Sequence, residues 1–112
     1  MERRTKKRYE ACLDAIWDGA TGNSQARVTD LSEEGCYVDS ISEAATGEML
    51  HLKVRLLSGE WLDLTGEVAH TFQGMGFGIR FVNVSLTQRQ KLFGLLQQLK
   101  GSSDPPLARI CA

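Results

Sequence analysis

The stretch RRTKKR, from Arg3 to Arg8, carries five cations in six residues near the start of the chain. Arg4 and Arg8 stand four residues apart, so both guanidinium groups lie on the same side of the chain whether the segment is helical or extended. Arginine stays charged at any relevant pH and binds a phosphate or a guanine edge through two parallel hydrogen bonds. The stretch predicts either a site for a small anion or a basic segment that is only solvated.

A second stretch, DLSEEG, follows about twenty residues later, at the end of a predicted strand. Asp30 and Ser32 could both point to one side and offer an anionic acceptor beside a hydroxyl that donates and accepts. Such a pair suits the ring N–H and amino donors of a guanine, which arginine cannot satisfy. Gly35 allows either a positive φ or a close approach of the main chain. Taken alone, the stretch is more typical of an ordinary turn in which Asp and Ser bond their own backbone.

The charge distribution favours a small anionic ligand over a long polyanion. The 112-residue chain has a net charge of −1, whereas proteins with a general affinity for nucleic acid or anionic lipid usually carry a broad basic surface. The positive charge is local, because the region between residues 30 and 48 contains no Lys or Arg but six carboxylates: Asp30, Glu33, Glu34, Asp39, Glu43 and Glu48.

Several classes of protein are disfavoured by missing motifs. The sequence has no nucleophile elbow, no glycine-rich phosphate loop opening a helix and no H-E-x-x-H, and its two histidines are far apart, so we expect no enzyme. Three cysteines at spacings that match no metal pattern predict reduced thiols, with no disulfide framework, no metal and no cofactor. No apolar run reaches the roughly 18 residues of a membrane span, and no secretory signal is recognisable, so we expect a cytoplasmic protein.

The elements that must position the two stretches are mostly strands. The segments MLHLKVRLL and GFGIRFV alternate apolar and polar residues with period two, and shorter segments of the same kind are separated by turn clusters. About six short strands with no helix between them favour an antiparallel barrel or sandwich. The pattern then changes to helical spacing, with a capping box at Ser85 and Gln88 before the apolar positions Leu92, Phe93, Leu95, Leu96 and Leu99.

The two stretches together resemble the signature of PilZ domains, the bacterial receptors for cyclic di-GMP. The first holds an RxxxR at Arg4 and Arg8, and the second holds a DxSxxG at Asp30, Ser32 and Gly35. The similarity extends from Arg3 to Leu99 and includes the GCYVDS strand, the GFGIRF strand and the terminal helix. It implies an all-β fold, a six-stranded antiparallel barrel with a C-terminal α-helix. The expected division is a flexible basic ligand-binding arm at 1–10, the barrel plus helix at 11–100, and a disordered tail at 101–112.

The resemblance also implies roles for individual residues. In that family the two arginines hold guanine and phosphate oxygens, and the Asp and Ser read the guanine edge, so Arg4, Arg8, Asp30 and Ser32 inherit those roles while Gly35 shapes the turn. A basic residue just before the RxxxR tends to accompany an intercalated cyclic di-GMP dimer, and Arg3 holds that position. Three further residues are weighed as ligand contacts against ordinary solvated or strand-end positions: His70, Arg80 and Arg27.

Two other functions remain open from the sequence. A small barrel that binds single-stranded nucleic acid would use the basic arm to follow phosphates and would need a basic groove lined with aromatic residues. A PilZ-fold module without ligand would act only by protein interaction. A receptor domain without an output domain of its own must act on an effector protein encoded elsewhere, for example in motility or biofilm regulation. The sequence identifies neither that partner nor the oligomeric state.

Overall fold

The computed structural model describes residues 7–20 and 22–101. Arg3 and Arg4 therefore lie outside the described residues, as do most of the predicted arm and nearly all of the predicted tail. The proposed division into arm, barrel and tail stays a prediction.

The described chain folds into a closed barrel of six strands followed by one helix. The elements are β1 (Tyr9–Gly19), β2 (Gly22–Leu31), β3 (Gly35–Asp39), β4 (Met49–Arg55), β5 (Trp61–Phe72), β6 (Gly76–Val82) and α1 (Leu86–Gly101). The strand order around the barrel is β1-β2-β3-β6-β5-β4, and every neighbouring pair is antiparallel. The expectation of a six-stranded antiparallel barrel with a C-terminal helix is confirmed, and closure leaves no unpaired sheet edge.

The period-two pattern corresponds to the inside and outside of this barrel. In β4 the side chains of Leu50, Leu52 and Val54 are buried, while His51 and Lys53 are exposed. The interior also holds Trp17, whose ring meets that of Phe77 edge to face at a centroid distance of 5.2 Å. The interior is therefore filled by side chains, and a ligand must bind on the outside.

Two expectations about single residues need correction. Cys12 is disulfide-bonded, so the prediction of reduced thiols holds among the described cysteines only for Cys36, which is free and buried. Phe93 is 54% exposed, although its spacing grouped it with the apolar face of the helix. The buried face of α1 consists of Leu92, Leu95 and Leu96, and Phe93 lies to one side of it.

Helix α1 begins at the predicted cap. The Ser85 hydroxyl accepts a hydrogen bond from the Gln88 amide at 3.1 Å, and the Gln88 side chain accepts one from the Ser85 amide at 2.8 Å, which is a reciprocal capping box. The helix packs against β1 and β5 at the end of the barrel where the β2–β3 turn also lies. No helix in the described part of the chain has the length and apolar character that crossing a membrane requires.

Candidate functional site

An open cavity of about 570 Å³ lies on the outer surface of the barrel, where β3, β5 and β6 meet the β2–β3 turn and the start of α1. Its volume falls within the roughly 300–1,000 Å³ range of small-molecule sites. It is lined by Arg8, Glu33, Glu34, Gly35, Ala69, His70, Gly78, Ile79, Arg80, Phe81, Asn83, Val84 and Arg89. Three arginines from three separate parts of the chain therefore border one cavity together with the carboxylates of Glu33 and Glu34. The cations exceed the carboxylates by one, and this charge suits an anionic ligand.

A row of outward-facing positions crosses four strands beside this cavity. Strand pairing sets Asp30 opposite Tyr37, Tyr37 opposite Gly78, and Gly78 opposite His70. The pairing is irregular between Val28 and Asp30 and again between Val68 and His70, so each end of the row directly follows a bulge. Bulges redirect side chains and are frequent beside binding sites. The row brings Asp30 of the second motif onto the same surface as His70.

The first and second motifs meet in an ion pair. The guanidinium of Arg8 donates to the carboxylate of Asp30, and the two side chains are 29% and 34% exposed. These residues are 22 positions apart in sequence. Of the three arginines predicted to bind ligand, Arg8 is therefore brought to Asp30, whereas Arg3 and Arg4 lie outside the described residues.

Ser32 is buried at 2% exposure and its hydroxyl is engaged within its own turn. Its Oγ accepts hydrogen bonds from the amides of Glu34 at 3.1 Å and Gly35 at 3.2 Å, and it donates to the Gly35 carbonyl at 3.3 Å. The turn is closed by a further bond from the Ser32 amide to the same carbonyl at 2.9 Å. In this arrangement Ser32 shapes the turn that follows Asp30, which is the ordinary-turn interpretation for the serine half of the motif.

Gly35 is required for close packing of the main chain rather than for a positive φ. A Cβ at this position would lie 2.0 Å from the carbonyl oxygen of Ile79 on β6. Gly35 is not among the described residues with positive φ. Of the two reasons that the sequence offered for a glycine here, the close approach is the one that applies.

The electrostatics of this surface are set by burial and by the motif charges. Burial, with a smaller contribution from the Asp30 carboxylate, raises the pKa of the Cys36 thiol, while Arg8 acts in the opposite direction. Burial and then the carboxylates of Asp39 and Asp30 raise the pKa of Tyr37. Cys36 and Tyr37 are therefore neutral at pH 7 and add no charge to this surface.

His70 and Arg80 both line the cavity, as two of the three additional contacts weighed from the sequence require. The His70 ring lies over Gly78, because a Cβ added there would be 2.7 Å from Nε2, and it meets the Phe72 ring edge to face at 5.1 Å. Arg80 forms an ion pair with Glu67, its cross-strand partner on β5. Neither residue's contact with a ligand is tested by this geometry.

Arg27 lies elsewhere on the barrel. Its guanidinium is 3.7 Å from the carboxylate of Asp14 on β1. It borders a separate groove that also contains Ile16 and Trp61. The structure does not bring Arg27 into the cavity with His70 and Arg80.

Three cavity or row residues, Tyr37, Asn83 and Arg89, had no signal in the sequence, and neither did Glu67, the ion-pair partner of Arg80. Tyr37 and Glu67 become relevant only through strand register, which places them opposite Gly78 and Arg80. Asn83 has a positive φ of 52° just after β6, which is uncommon for a residue other than glycine. Of these features, only the positive φ of Asn83 could have been anticipated from the sequence, since asparagine adopts this conformation more readily than most residues.

The closed six-stranded barrel, its C-terminal helix and the D-x-S-x-x-G turn together define one class of β-barrel domain, and the family comparison agrees. The model of the PilZ domain matches residues 2–98. The chain belongs to the PilZ domain family. No curated protein matches the chain in sequence.

Solved structures share this fold at low sequence identity. The PilZ domain with c-di-GMP of YcgR from Escherichia coli superposes with a TM-score of 0.81 at 16% identity, over 97% of this chain and 100% of that one. YcgR from Escherichia coli in complex with c-di-GMP gives 0.77 at 20% identity, over 89% of this chain and 47% of that one. The Bacillus subtilis inhibitor of motility (MotI/DgrA) gives 0.73 at 18% identity, over 91% of this chain and 54% of that one. The chain therefore spans about half the length of the latter two proteins.

Proposed function

We propose that this chain binds cyclic di-GMP on the outer face of the barrel and acts as a receptor or adaptor that changes shape on binding. The observation that carries the proposal is the meeting of Arg8 with Asp30 beside the cavity. It joins the two motifs whose residue types match a ligand with two guanines and two phosphates. The solved YcgR structures that contain c-di-GMP support the choice of ligand, since this chain shares their fold.

The Arg8–Asp30 ion pair gives the unliganded site a defined starting state. Arg8 would leave Asp30 for a phosphate or guanine oxygen, and Asp30 would accept from the guanine ring N–H and amino group. The ion pair that is given up is partly exposed, so its loss costs about 1 kcal/mol or less, which is smaller than the contribution expected of a bidentate hydrogen bond from arginine to a phosphate or guanine edge. Arg8 and Arg4 are therefore both expected to contribute to the net affinity.

Arg3 is proposed to bring in a second ligand molecule, so that cyclic di-GMP binds as an intercalated dimer. His70 is proposed to stack on a guanine, because its ring already lies over Gly78 at the cavity. Ser32 and Gly35 support the site by building the turn beside Asp30. A direct contact of Ser32 with guanine stays a prediction and would require its hydroxyl to leave the turn.

The proposed receptor is not an enzyme and works through an effector protein. Ordering the basic arm on binding would lower the net affinity by several kcal/mol and would convert ligand occupancy into a change of shape. That change is the signal a partner in motility or biofilm regulation would recognise. The cytoplasmic location stays a prediction.

Calorimetric titration of cyclic di-GMP tests the proposal. We expect the wild type to bind and the Arg4→Ala/Arg8→Ala variant to lose at least about 3 kcal/mol, roughly a hundredfold in affinity, because two charge-assisted contacts are removed. The matched control is Lys53→Ala/Lys91→Ala, which removes two exposed cations outside the cavity and should leave the affinity within about threefold. A stoichiometry of two ligands per chain would support the role of Arg3.

Two results would overturn the proposal. One is an unchanged affinity in the Arg4→Ala/Arg8→Ala variant. The other is indifference to cyclic di-GMP together with binding to a single-stranded oligonucleotide that weakens steeply with salt, which would favour the nucleic-acid alternative.

A further inference from the structure

Arg89 places a third cation at the cavity from outside both motifs. It is the fourth residue of α1 and lines the cavity together with Arg8 and Arg80. The helix is joined to the end of β6 by the short segment 83–85, which keeps the start of α1 close to the strand that carries Arg80. The arm, the sheet and the helix thus each contribute one arginine to the same space.

The three arginines differ in whether a carboxylate already forms an ion pair with them. Arg8 is paired with Asp30, and Arg80 is paired with Glu67. Within residues 7–20 and 22–101 no carboxylate forms an ion pair with the exposed Arg89. Among the described residues, the Arg89 guanidinium therefore has no ion pair that a ligand would have to break.

The position of Arg89 on the helix is unfavourable without an anion. It follows the first turn of α1, a turn that contains no acidic residue. The N-terminal end of a helix carries partial positive charge and normally favours acidic side chains. A bound anion would satisfy both the guanidinium and this end of the helix, which is a reason for an arginine to be present there.

We propose that Arg89 is a ligand residue that binds a phosphodiester of cyclic di-GMP and thereby connects the ligand directly to α1. This inference rests on the proposed function and adds a contact from outside the two motifs. Arg89 also borders a neighbouring pocket of about 340 Å³ on the helix surface, with the exposed side chains of Leu86 and Phe93. Arg89 therefore borders both the cavity and this pocket on the helix surface.

The test compares Arg89→Gln with Lys91→Gln by calorimetric titration of cyclic di-GMP. Both variants remove one positive charge from an exposed position on the same helix, but only Arg89 lines the cavity. We expect Arg89→Gln to weaken binding about tenfold or more, the effect of losing one charge-assisted contact, and Lys91→Gln to stay within about twofold of the wild type. Arg89→Lys, which keeps the charge without the planar fork, should recover part of the affinity.

A structural role is separated from a binding role by the unfolding midpoint without ligand. This midpoint should be no lower in Arg89→Gln than in Lys91→Gln, because a cation near the start of a helix is unfavourable when no anion is bound. Equal affinities of Arg89→Gln and Lys91→Gln, with wild-type binding intact, would overturn the role of Arg89 and leave the proposed function standing. Absence of binding by the folded wild type would overturn the proposed function and the role of Arg89 with it.

Discussion

The three defining residues of the D-x-S-x-x-G motif make different contacts and have different roles in the structure. The carboxylate of Asp30 faces outward and meets Arg8, whereas the hydroxyl of Ser32 is buried and holds three hydrogen bonds within its own turn. Gly35 has no side chain because the main chain of β6 occupies that space. One residue of the motif is thus available to a ligand, and the other two maintain the turn that presents it.

This division predicts that Ser32 contributes to stability in the absence of ligand. Ser32→Ala removes the acceptor of the Glu34 and Gly35 amides, the latter buried, and should lower the free energy of unfolding by about 1–3 kcal/mol. The measurement is equilibrium urea unfolding of the ligand-free protein. Ser58→Ala is the control, since the Ser58 hydroxyl accepts a single bond in an exposed turn and its loss should cost at most about 0.5 kcal/mol. Equal effects of the two substitutions would contradict the structural role of Ser32.

Among the elements, strand β3 connects the core to the cavity. It is only five residues long and lies between β2 and β6, and its residues alternate between the core and the outer surface of the barrel. Cys36 and Val38 are fully buried, while Tyr37 faces outward between Asp30 and Gly78. A displacement of β3 away from β6 would therefore disturb the core and the cavity together.

Gly35→Ala is expected to produce that displacement. The added Cβ would lie 2.0 Å from the Ile79 carbonyl oxygen, which is main chain and cannot rotate away, so we expect a loss of about 1–3 kcal/mol in the free energy of unfolding. Gly94→Ala is the matched control, because a Cβ on that helical residue meets nothing within 4 Å and should stabilise the protein by up to about 1 kcal/mol. Thermal unfolding of both variants measures the difference, and a gain in stability for Gly35→Ala would refute the close-packing argument.

For the molecule as a whole, Glu48 connects two loops at the end of the barrel away from α1. Its carboxylate accepts hydrogen bonds from the Ala20 amide at 2.8 Å and the Ala45 amide at 2.9 Å, which connects the β1–β2 turn to the β3–β4 loop. These two bonds, that from Ala45 first, hold the pKa of Glu48 below its usual value. The ionised form is therefore the one that the fold favours.

The sign of this shift predicts a pH dependence. A carboxyl group with a lowered folded-state pKa stabilises the protein above its unfolded pKa of about 4.3, and the stabilisation disappears as the pH falls through the lower folded value. Glu48→Gln should accordingly be less stable than the wild type at pH 7 and approach it below about pH 4. Unfolding midpoints measured across this range provide the check. Glu60→Gln, at an exposed position for whose carboxylate the described residues supply no hydrogen bond, should show no such convergence.

Local features of the fold were predictable from the sequence because they depend on neighbours along the chain. The alternation in MLHLKVRLL identifies the inner residues of β4, and the spacing of Ser85 and Gln88 identifies the start of α1. The family resemblance added closure into a barrel, which the period-two pattern alone did not distinguish from a sandwich. The ligand roles of Arg3, Arg4, Arg8, Asp30 and Ser32 stay predictions.

Which side chains share the cavity was decided only by the tertiary structure. Arg27 and Arg80 are both outward-facing strand arginines, yet strand order places Arg80 beside His70 and Arg27 beside Asp14. Bulges at Asp30 and His70 and the position of α1 then bring Tyr37 and Arg89 to the same surface. A period of two determines which face of a strand a residue occupies, whereas register and strand order arise from pairing between residues far apart in the chain, and no local pattern encodes them.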